Sequence, residues 1–298
     1  MKYRKVKKFI IGLLIFSLTG CILSCGYVQE GIEDSEGAWP VTEPGLDPLP
    51  EGILGPEVSF LSDDEILKLD SKQIIWGQGS FKDAEGRPEA CVSLQNKYGK
   101  YSSWFLGEED SMVYLTFDEG YENGYSSKIL DVLKEKEAHA TFFVTLDYVM
   151  NEPELVRRMI EEGHSVGNHT AHHPNMTKIT LHEAKGEVQE LHDYVYENFG
   201  YEMTLFRAPE GAISEQSLAL MQAMGYQNVL WSFAYHDWDV NQQMSPDTAL
   251  KKTVENMHPG AIYLLHAVSQ TNAIILGDLI DAVRNQGYEF GNLEEEWS

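Results

Sequence analysis

The sequence predicts an α/β fold, a distorted (β/α) barrel with about seven parallel strands, over residues 111–298. Short apolar runs alternate with helix candidates from Met112 onward. Side chains that can do acid, base or metal chemistry follow most of these runs. Alternation of strands and helices indicates a parallel sheet, either open or closed into a barrel.

Seven short apolar runs are the predicted strands. The first of them is rich in β-branched, aliphatic and aromatic residues, which is typical of a buried strand. The runs are residues 112–117, 140–144, 165–167, 204–206, 226–232, 260–265 and 287–290.

The predicted helices have recognisable ends. Thr180 and Glu183 form a capping-box pattern, Ser214 is a second N-cap candidate, and Pro246 follows Ser245 at a first helical position. Glycines at the predicted C-terminal ends are Gly163, Gly200, Gly225 and Gly287.

Polar residues follow five of the seven runs, where the carboxyl ends of barrel strands would meet. In a parallel barrel these positions lie together at the C-terminal mouth, where active sites are built. They are Asp118 and Glu119 after the first run, His169 and His173 after the third, Arg207 after the fourth, Asp237 after the fifth and His266 after the sixth.

Asp118 and Glu119 are adjacent carboxylates at the end of a core strand. Two acids there are costly unless a metal ion or a base partners them. An ordinary acidic turn before Gly120 is the alternative interpretation of the pair alone.

His169 and His173 are four residues apart. On a helical turn this spacing directs both imidazoles toward one point, and a carboxylate from the Asp118–Glu119 pair would complete a two-histidine, one-carboxylate metal site. His172 is predicted to point elsewhere. The remaining histidines are predicted to be satisfied core or exposed residues: His139, His164, His182, His192, His236 and His258.

The N-terminus predicts export. Five basic residues precede an apolar stretch over residues 9–18 that is too short for a comfortable membrane span. Residues 18–21, Leu-Thr-Gly-Cys, resemble a bacterial lipobox, so we expect a signal peptide over 1–20 and a lipid on Cys21. A plain signal peptide, an uncleaved anchor and a lipid on Cys25 are the alternatives.

Without the five basic residues before the apolar stretch, 17 basic residues face 47 acidic ones, a net charge of −30. Such a surface repels nucleic acids and anionic lipid headgroups, which excludes nucleic-acid binding and a peripheral membrane-binding face. The proline-rich residues 21–57 are expected to be a tether, and residues 58–110 a lead-in packed on the catalytic domain. The expected location is the outer face of the cytoplasmic membrane, with a lipid anchor as the membrane contact.

Five motifs in order, over residues 116–120, 169–173, 207–211, 237–238 and 264–266, resemble those of the polysaccharide deacetylases of carbohydrate esterase family 4, the NodB-homology domain. Residues 121–125, 231–234 with 237–238, and 259–266 resemble the branch that deacetylates muramic acid to form the δ-lactam of spore-cortex peptidoglycan. The resemblance implies that the protein acts on a peptidoglycan glycan strand, and we expect a monomer.

The resemblance also implies roles for individual residues. Asp118 would be the general base, oriented by Arg207, and His266 the general acid, held by Asp237. A divalent metal ion would bind Glu119, His169 and His173. Zinc is the first candidate, and cobalt, nickel and manganese are the others. Trp238 and Leu264 would form the pocket for the acetyl methyl group. The backbone N–H after Pro209 would help to hold the oxyanion.

Glu119 departs from the family pattern, which the resemblance gives as Asp, or as Asn in the muramic branch. The longer side chain shifts the carboxylate by roughly a bond length, against a tolerance of about 0.2 Å for metal ligands. Because of Glu119, an inactive cell-wall-binding lipoprotein is one alternative to the muramic acid deacetylase. An N-acetylglucosamine or chitooligosaccharide deacetylase is another.

Overall fold

The strands of the computed structural model form one curved parallel sheet. The structure describes residues 60–108 and 111–297. The predicted signal peptide, the tether, Cys21 and Cys25 lie outside the described residues. The strands are β1 (Ser103–Trp104), β2 (Met112–Glu119), β3 (Ala140–Val144), β4 (Ser165–Asn168), β5 (Leu205–Phe206), β6 (Gln227–Val229), β7 (Phe233–Ala234), β8 (Ala261–His266) and β9 (Glu289–Phe290).

Helices follow most strands. They are α1 (Asp63–Ile66), α2 (Glu89–Tyr98), α3 (Ser126–Glu135), α4 (Leu146–Asn151), α5 (Pro153–Glu161), α6 (Leu181–Phe199), α7 (Glu215–Ala223), α8 (Pro246–Glu255), α9 (Gln270–Asn285) and α10 (Leu293–Trp297). Among the residues described, none of these helices has the length and apolar composition needed to cross a bilayer.

The sheet order is β1-β6-β5-β4-β3-β2-β8-β7, with β9 paired to the start of β2. The strand pairs recorded in this sheet are parallel. Each predicted run contains a strand, and the distorted-barrel prediction is confirmed. The sequence missed β1 and β7, because each is only two residues long and carries no periodic pattern.

Side chains of β2 alternate between two apolar layers, as a strand requires. Tyr114 packs inside the barrel with Phe143 and Ile262. Leu115 and Phe117 belong to the larger core, which the strands share with the surrounding helices. The two cores therefore assign even-numbered residues of β2 to the inside and odd-numbered ones to the helix side.

The predicted helix ends are confirmed. Thr180 and Glu183 form the capping box of α6, and Ser214 caps α7 by accepting a hydrogen bond from the Ser217 N–H. The four predicted terminal glycines all have φ between +65° and +88°, a left-handed conformation that strongly favours glycine.

Residues 60–108 contact the barrel through specific hydrogen bonds. The Trp76 indole donates to the Gly211 carbonyl at 2.8 Å, and the Ile74 N–H donates to the Ile213 carbonyl at 2.8 Å. Gly211 has φ +61°, and a Cβ there would lie 2.5 Å from the Trp231 ring and 3.1 Å from the Trp76 ring of this segment. This segment therefore fits closely around the turn that follows β5.

Candidate active site

Asp118 and His266 lie side by side at the mouth. They are register partners on the neighbouring strands β2 and β8, which run about 4.8 Å apart. Both residues continue the inward-facing rows of their strands. An acid and an imidazole therefore face the same opening from adjacent strand ends.

Arg207 holds Asp118. One guanidinium nitrogen, Nη1, donates to Asp118 Oδ1 at 2.8 Å and to Thr116 Oγ1 at 2.7 Å. The other two donate to the backbone carbonyls of Val229 and Leu230 at 3.0 and 3.1 Å. Arg207 is fully buried, so these bonds fix a charge that has no access to water.

The Asp118 carboxylate stays charged although it is buried. Burial alone would raise its pKa, but Arg207, His169 and His266 outweigh that effect and hold the pKa below the usual range. Asp118 is therefore ionised at neutral pH. Its second oxygen, Oδ2, lies 3.6 Å from His169 Nε2.

His169 and His173 come together, with ring centroids 4.9 Å apart. Their segment is not the predicted helical turn, because Thr170 and His173 have φ of 68° and 55°. This irregular loop, rather than helical spacing, brings the two rings together. His172 also lines the cavity at the mouth, but its Nδ1 lies 3.1 Å from Glu187 Oε1 on α6.

His169 presents one fixed nitrogen. Its Nδ1 lies 2.8 Å from the Arg207 carbonyl oxygen, which can only accept, so Nδ1 carries the proton and Nε2 the lone pair. Burial lowers the pKa of His169 to about 4, which keeps the ring neutral. A neutral imidazole with a free, oriented Nε2 is a suitable metal ligand.

His266 is held by Asp237. Asp237 Oδ1 lies 2.8 Å from His266 Nδ1, and Oδ2 accepts from the His266 N–H at 2.9 Å. Burial alone would lower the pKa of His266, but Asp237 reverses this and the pKa is raised. Asn272 of α9 donates to Asp237 Oδ2 at 2.6 Å. Asn272 was missed, because none of the motifs recognised in the sequence includes it.

Glu119 is not brought to the imidazoles. Among the described residues, no nitrogen of His169 or His173 lies within 4.0 Å of its carboxylate, and no set of three His, Cys, Asp or Glu side chains could hold a metal ion. β2 extends through Glu119, so the side chain follows Phe117 toward the helix layer. The expected three-residue ligand set is not assembled in this structure.

The mouth opens into a cavity of about 640 Å³. Its walls include Asp118, His169, His173 and His266, together with both predicted pocket residues, Trp238 and Leu264. Trp238 is 53% exposed and its ring centroid lies 5.9 Å from that of His266. Neither Glu119 nor the buried Arg207 and Asp237 lines this cavity.

The donors that face this cavity fit a divalent cation held by two imidazoles. The free Nε2 of His169 and the exposed ring of His173 supply nitrogen ligands of the kind zinc prefers. The remaining coordination positions would be left to water or substrate.

Comparison with known proteins identifies the family. The Polysaccharide deacetylase family model matches residues 107–229. The chain is 42% identical over 210 residues to peptidoglycan-N-acetylmuramic acid deacetylase PdaA of Bacillus subtilis, covering 70% of this chain and 80% of that protein. It is 33% identical to peptidoglycan-N-acetylglucosamine deacetylase PgdA of Listeria monocytogenes, covering 61% of this chain and 38% of that protein.

The structural comparison agrees with the sequence comparison. The solved structure of Bacillus subtilis PdaA, described as a family 4 carbohydrate esterase, superimposes with a TM-score of 0.72 at 39% identity. The match covers 77% of this chain and 98% of the other. The chain therefore belongs to the polysaccharide deacetylase family, carbohydrate esterase family 4, and is a hydrolase that acts on amide bonds.

Proposed function

We propose that this protein removes the acetyl group from N-acetylmuramic acid in peptidoglycan, on the way to muramic δ-lactam. The observation that carries the proposal is the register pair of Asp118 and His266. Each has its own partner of opposite charge, Arg207 or Asp237, so the two groups suit opposite proton transfers. The likeness to PdaA at 42% identity favours muramic acid as the sugar.

Asp118 would act as the general base. Arg207 occupies Oδ1, which leaves Oδ2 to accept a proton from the attacking water. The lowered pKa of Asp118 keeps it ionised, and the fixed guanidinium orients it.

His266 would act as the general acid. Asp237 binds Nδ1, so Nε2 is the nitrogen left to face the leaving amine. Because the pKa of His266 is raised, the ring carries the proton it must donate over a wider pH range. Asn272 donates a hydrogen bond to Asp237 Oδ2 and so keeps Asp237 in the orientation that binds His266 Nδ1.

His169 and His173 would hold a divalent cation, with zinc as the first candidate and cobalt, nickel or manganese as the others. When bound, the cation would polarise the acetamide carbonyl and acidify a bound water. Glu119 as a third ligand stays a prediction, since its carboxylate would have to turn toward the cavity.

The acetyl group would lie between Trp238 and Leu264, which both face the cavity. The Glu210 N–H, directly after Pro209, would assist the developing oxyanion. Glu210 has φ 58°, an uncommon value for a non-glycine residue, and strain of this kind clusters at functional sites.

The test is acetate release from defined peptidoglycan fragments by the full-length protein. Fragments acetylated only on muramic acid should lose one acetyl group, as read by mass spectrometry, while fragments acetylated only on glucosamine should lose it far more slowly. The reverse preference would establish the glucosamine alternative, which the likeness to PgdA supports. No release from either would support the inactive wall-binding alternative.

We further propose that the protein is a monomer anchored outside the cytoplasmic membrane by a lipid on Cys21. The lipobox-like residues 18–21 support the lipid anchor. Cys21→Ala should abolish labelling by a lipid precursor, with Cys25→Ala as the matched control. Unchanged labelling of Cys21→Ala would contradict the assignment.

A further inference from the structure

A chain of hydrogen bonds runs from Asp237 into the protein interior. Asn272 of α9 donates through Nδ2 to Asp237 Oδ2 at 2.6 Å and to the His266 carbonyl at 3.1 Å. The Oδ1 atom of Asn272 accepts from the Tyr235 hydroxyl. Tyr235, Asn272 and Asp237 are buried, and none of them lines the cavity at the mouth. The chain therefore connects an interior tyrosine to the carboxylate that holds His266.

These bonds give the Asn272 amide one orientation. The Asp237 carboxylate and the His266 carbonyl can only accept, so both need the amide nitrogen. Burial raises the pKa of Tyr235, Asp237 raises it further, and Ser269 opposes these effects. The hydroxyl therefore keeps its hydrogen and can donate it to the amide oxygen. Tyr235 thus holds the Asn272 amide at its oxygen while Asp237 and His266 hold it at its nitrogen.

The same network fixes the loop that carries Asp237. Gln243 Nε2 donates to the backbone carbonyls of Asp237 and Asp239 at 2.8 and 2.9 Å, and Gln243 Oε1 accepts from Ser269 Oγ at 2.5 Å. Ser269 is the N-cap of α9, and its Oγ accepts from the Asn272 N–H at 3.1 Å. The side chain and the main chain of Asp237 are therefore both tied to the first turn of α9.

The direction of the His266 ring depends on the Asp237 carboxylate. Asp237 Oδ1 lies 2.8 Å from His266 Nδ1, and Oδ2 accepts from the His266 backbone N–H at 2.9 Å. A rotated carboxylate would lose this pair of contacts, because hydrogen bonds weaken steeply away from linear geometry. On its other side the ring faces the open cavity. The direction of Nε2 therefore depends on the bonds that keep Asp237 from rotating.

We propose that Tyr235 and Asn272 are positioning residues for the general acid, acting on His266 through Asp237. The inference rests on the proposed function and extends it to two residues that lie outside the five sequence motifs. In the step that they serve, the C–N bond of the acetamide breaks and its electron pair stays on nitrogen. The proton on His266 Nε2 is transferred to that nitrogen, and the amine leaves.

Two substrates distinguish a mispositioned acid from a loosened site. Cleavage of the acetamide needs a proton on the leaving amine, whereas 4-nitrophenyl acetate releases a weakly basic phenolate that leaves without one. In the full-length protein, Tyr235→Phe should lower kcat for acetate release from peptidoglycan fragments by about 5- to 10-fold, with KM unchanged. The kcat for the ester should change by less than about twofold, because the ester does not need the acid.

A double variant tests whether Tyr235 acts through Asn272. Asn272→Ala removes the donor to Asp237 and should lower kcat for the acetamide by about 10- to 100-fold. Adding Tyr235→Phe to Asn272→Ala should lower it by no more than about a further twofold, since the tyrosine would then have no amide to hold. Losses that multiply in the double variant would overturn the proposed chain.

Tyr263→Phe is the matched control for the loss of a buried tyrosine hydroxyl. The Tyr263 hydroxyl donates to the Thr253 carbonyl of α8 at 2.8 Å, so its removal leaves the bonds of Asn272 intact. Tyr263→Phe should leave kcat unchanged for both substrates. Equal losses on acetamide and ester in Tyr235→Phe, or no loss on the acetamide, would overturn the inference.

His266→Ala separates this inference from the proposed function. A loss of acetamide turnover in His266→Ala beside normal turnover in Tyr235→Phe would overturn only the positioning role. Normal acetamide turnover in His266→Ala would overturn the acid assignment itself, and the positioning role with it.

Discussion

Two pairs of imidazoles lie at opposite ends of the same strands. His169 and His173 follow β4 at the mouth, with rings 4.9 Å apart. His139 precedes β3 and His164 precedes β4 at the floor of the barrel, with rings 5.9 Å apart. Burial lowers the pKa of His169 and that of His164 to about 4 in each case.

Their surroundings differ. His169 faces an open cavity, and its ring is fixed by a backbone carbonyl and neighbours Asp118. His164 packs against Phe142, and neither of its nitrogens has a hydrogen-bond partner among the described residues. A perturbed imidazole pKa is therefore no mark of a site by itself. The cavity and the opposite charge are what distinguish the mouth.

The largest expected effect is on turnover at the mouth. Asp118→Asn removes the base and His266→Ala the acid, so each should lower kcat for acetate release by about 10² or more. Circular dichroism should show that both variants remain folded. The floor variant His164→Gln should retain turnover. Near-normal rates for both mouth variants would contradict the catalytic assignment.

The next effect is on metal affinity. His169→Ala should weaken zinc binding by at least about 10- to 100-fold in calorimetry, because it removes an oriented nitrogen donor. His139→Ala removes a ring of the floor pair and should leave zinc affinity unchanged. Equal losses in both variants would show that the floor pair also binds metal.

His164 at the floor of the barrel should contribute to the loss of stability in acid. His164 has a folded pKa of about 4, below the unfolded value near 6.5, so the folded state binds fewer protons. The contribution of the neutral His164 ring to the free energy of unfolding is fully present above pH 6.5 and is lost as the pH falls toward 4. Between pH 7 and 5 it should account for about 2 kcal/mol of the free energy of unfolding.

Urea denaturation of His164→Gln at both pH values checks this expectation. The loss of unfolding free energy from pH 7 to pH 5 should be smaller than in the parent. His182→Gln, which removes an exposed imidazole on α6, should keep the parental loss. An unchanged loss in His164→Gln would show that this ring is protonated in the folded state.

The smallest effect should come from the rim of the mouth. Trp238 is half exposed, so Trp238→Ala should leave Tm nearly unchanged. Loss of its contact with the acetyl group or sugar should raise KM by about 5- to 10-fold, which corresponds to an aromatic contact of about 1 kcal/mol. Phe81→Ala removes an exposed ring elsewhere and should leave KM unchanged.

The sequence predicted which residues lie at the mouth of the barrel better than it predicted the directions of their side chains. Strand ends and caps are local features, so the positions of Asp118, Arg207 and His266 followed from pattern alone. The direction of Glu119 depends on where β2 ends. The predicted run stops at residue 117, but hydrogen bonding to β3 carries the strand on to Glu119.

Other differences depended on contacts between distant residues. His164 was expected to be satisfied or exposed, but the packing of β4 on Phe142 leaves it buried with unpartnered nitrogens. Thr170 and His173 adopt left-handed conformations, and for the β-branched Thr170 this goes against local propensity. The segment 58–110 had a weak pattern, yet it contributes β1 beside β6.

The buried guanidinium of Arg207 has an evolutionary consequence. A mutation that neutralised Asp118 would leave Arg207 without its carboxylate partner, and breaking a buried pair in this way costs about 3–5 kcal/mol. A lineage that lost catalysis through a mutation of Asp118 would therefore also lose stability. We expect inactive descendants to replace Arg207 together with Asp118, so the double variant Asp118→Asn/Arg207→Met should be more stable than Asp118→Asn alone.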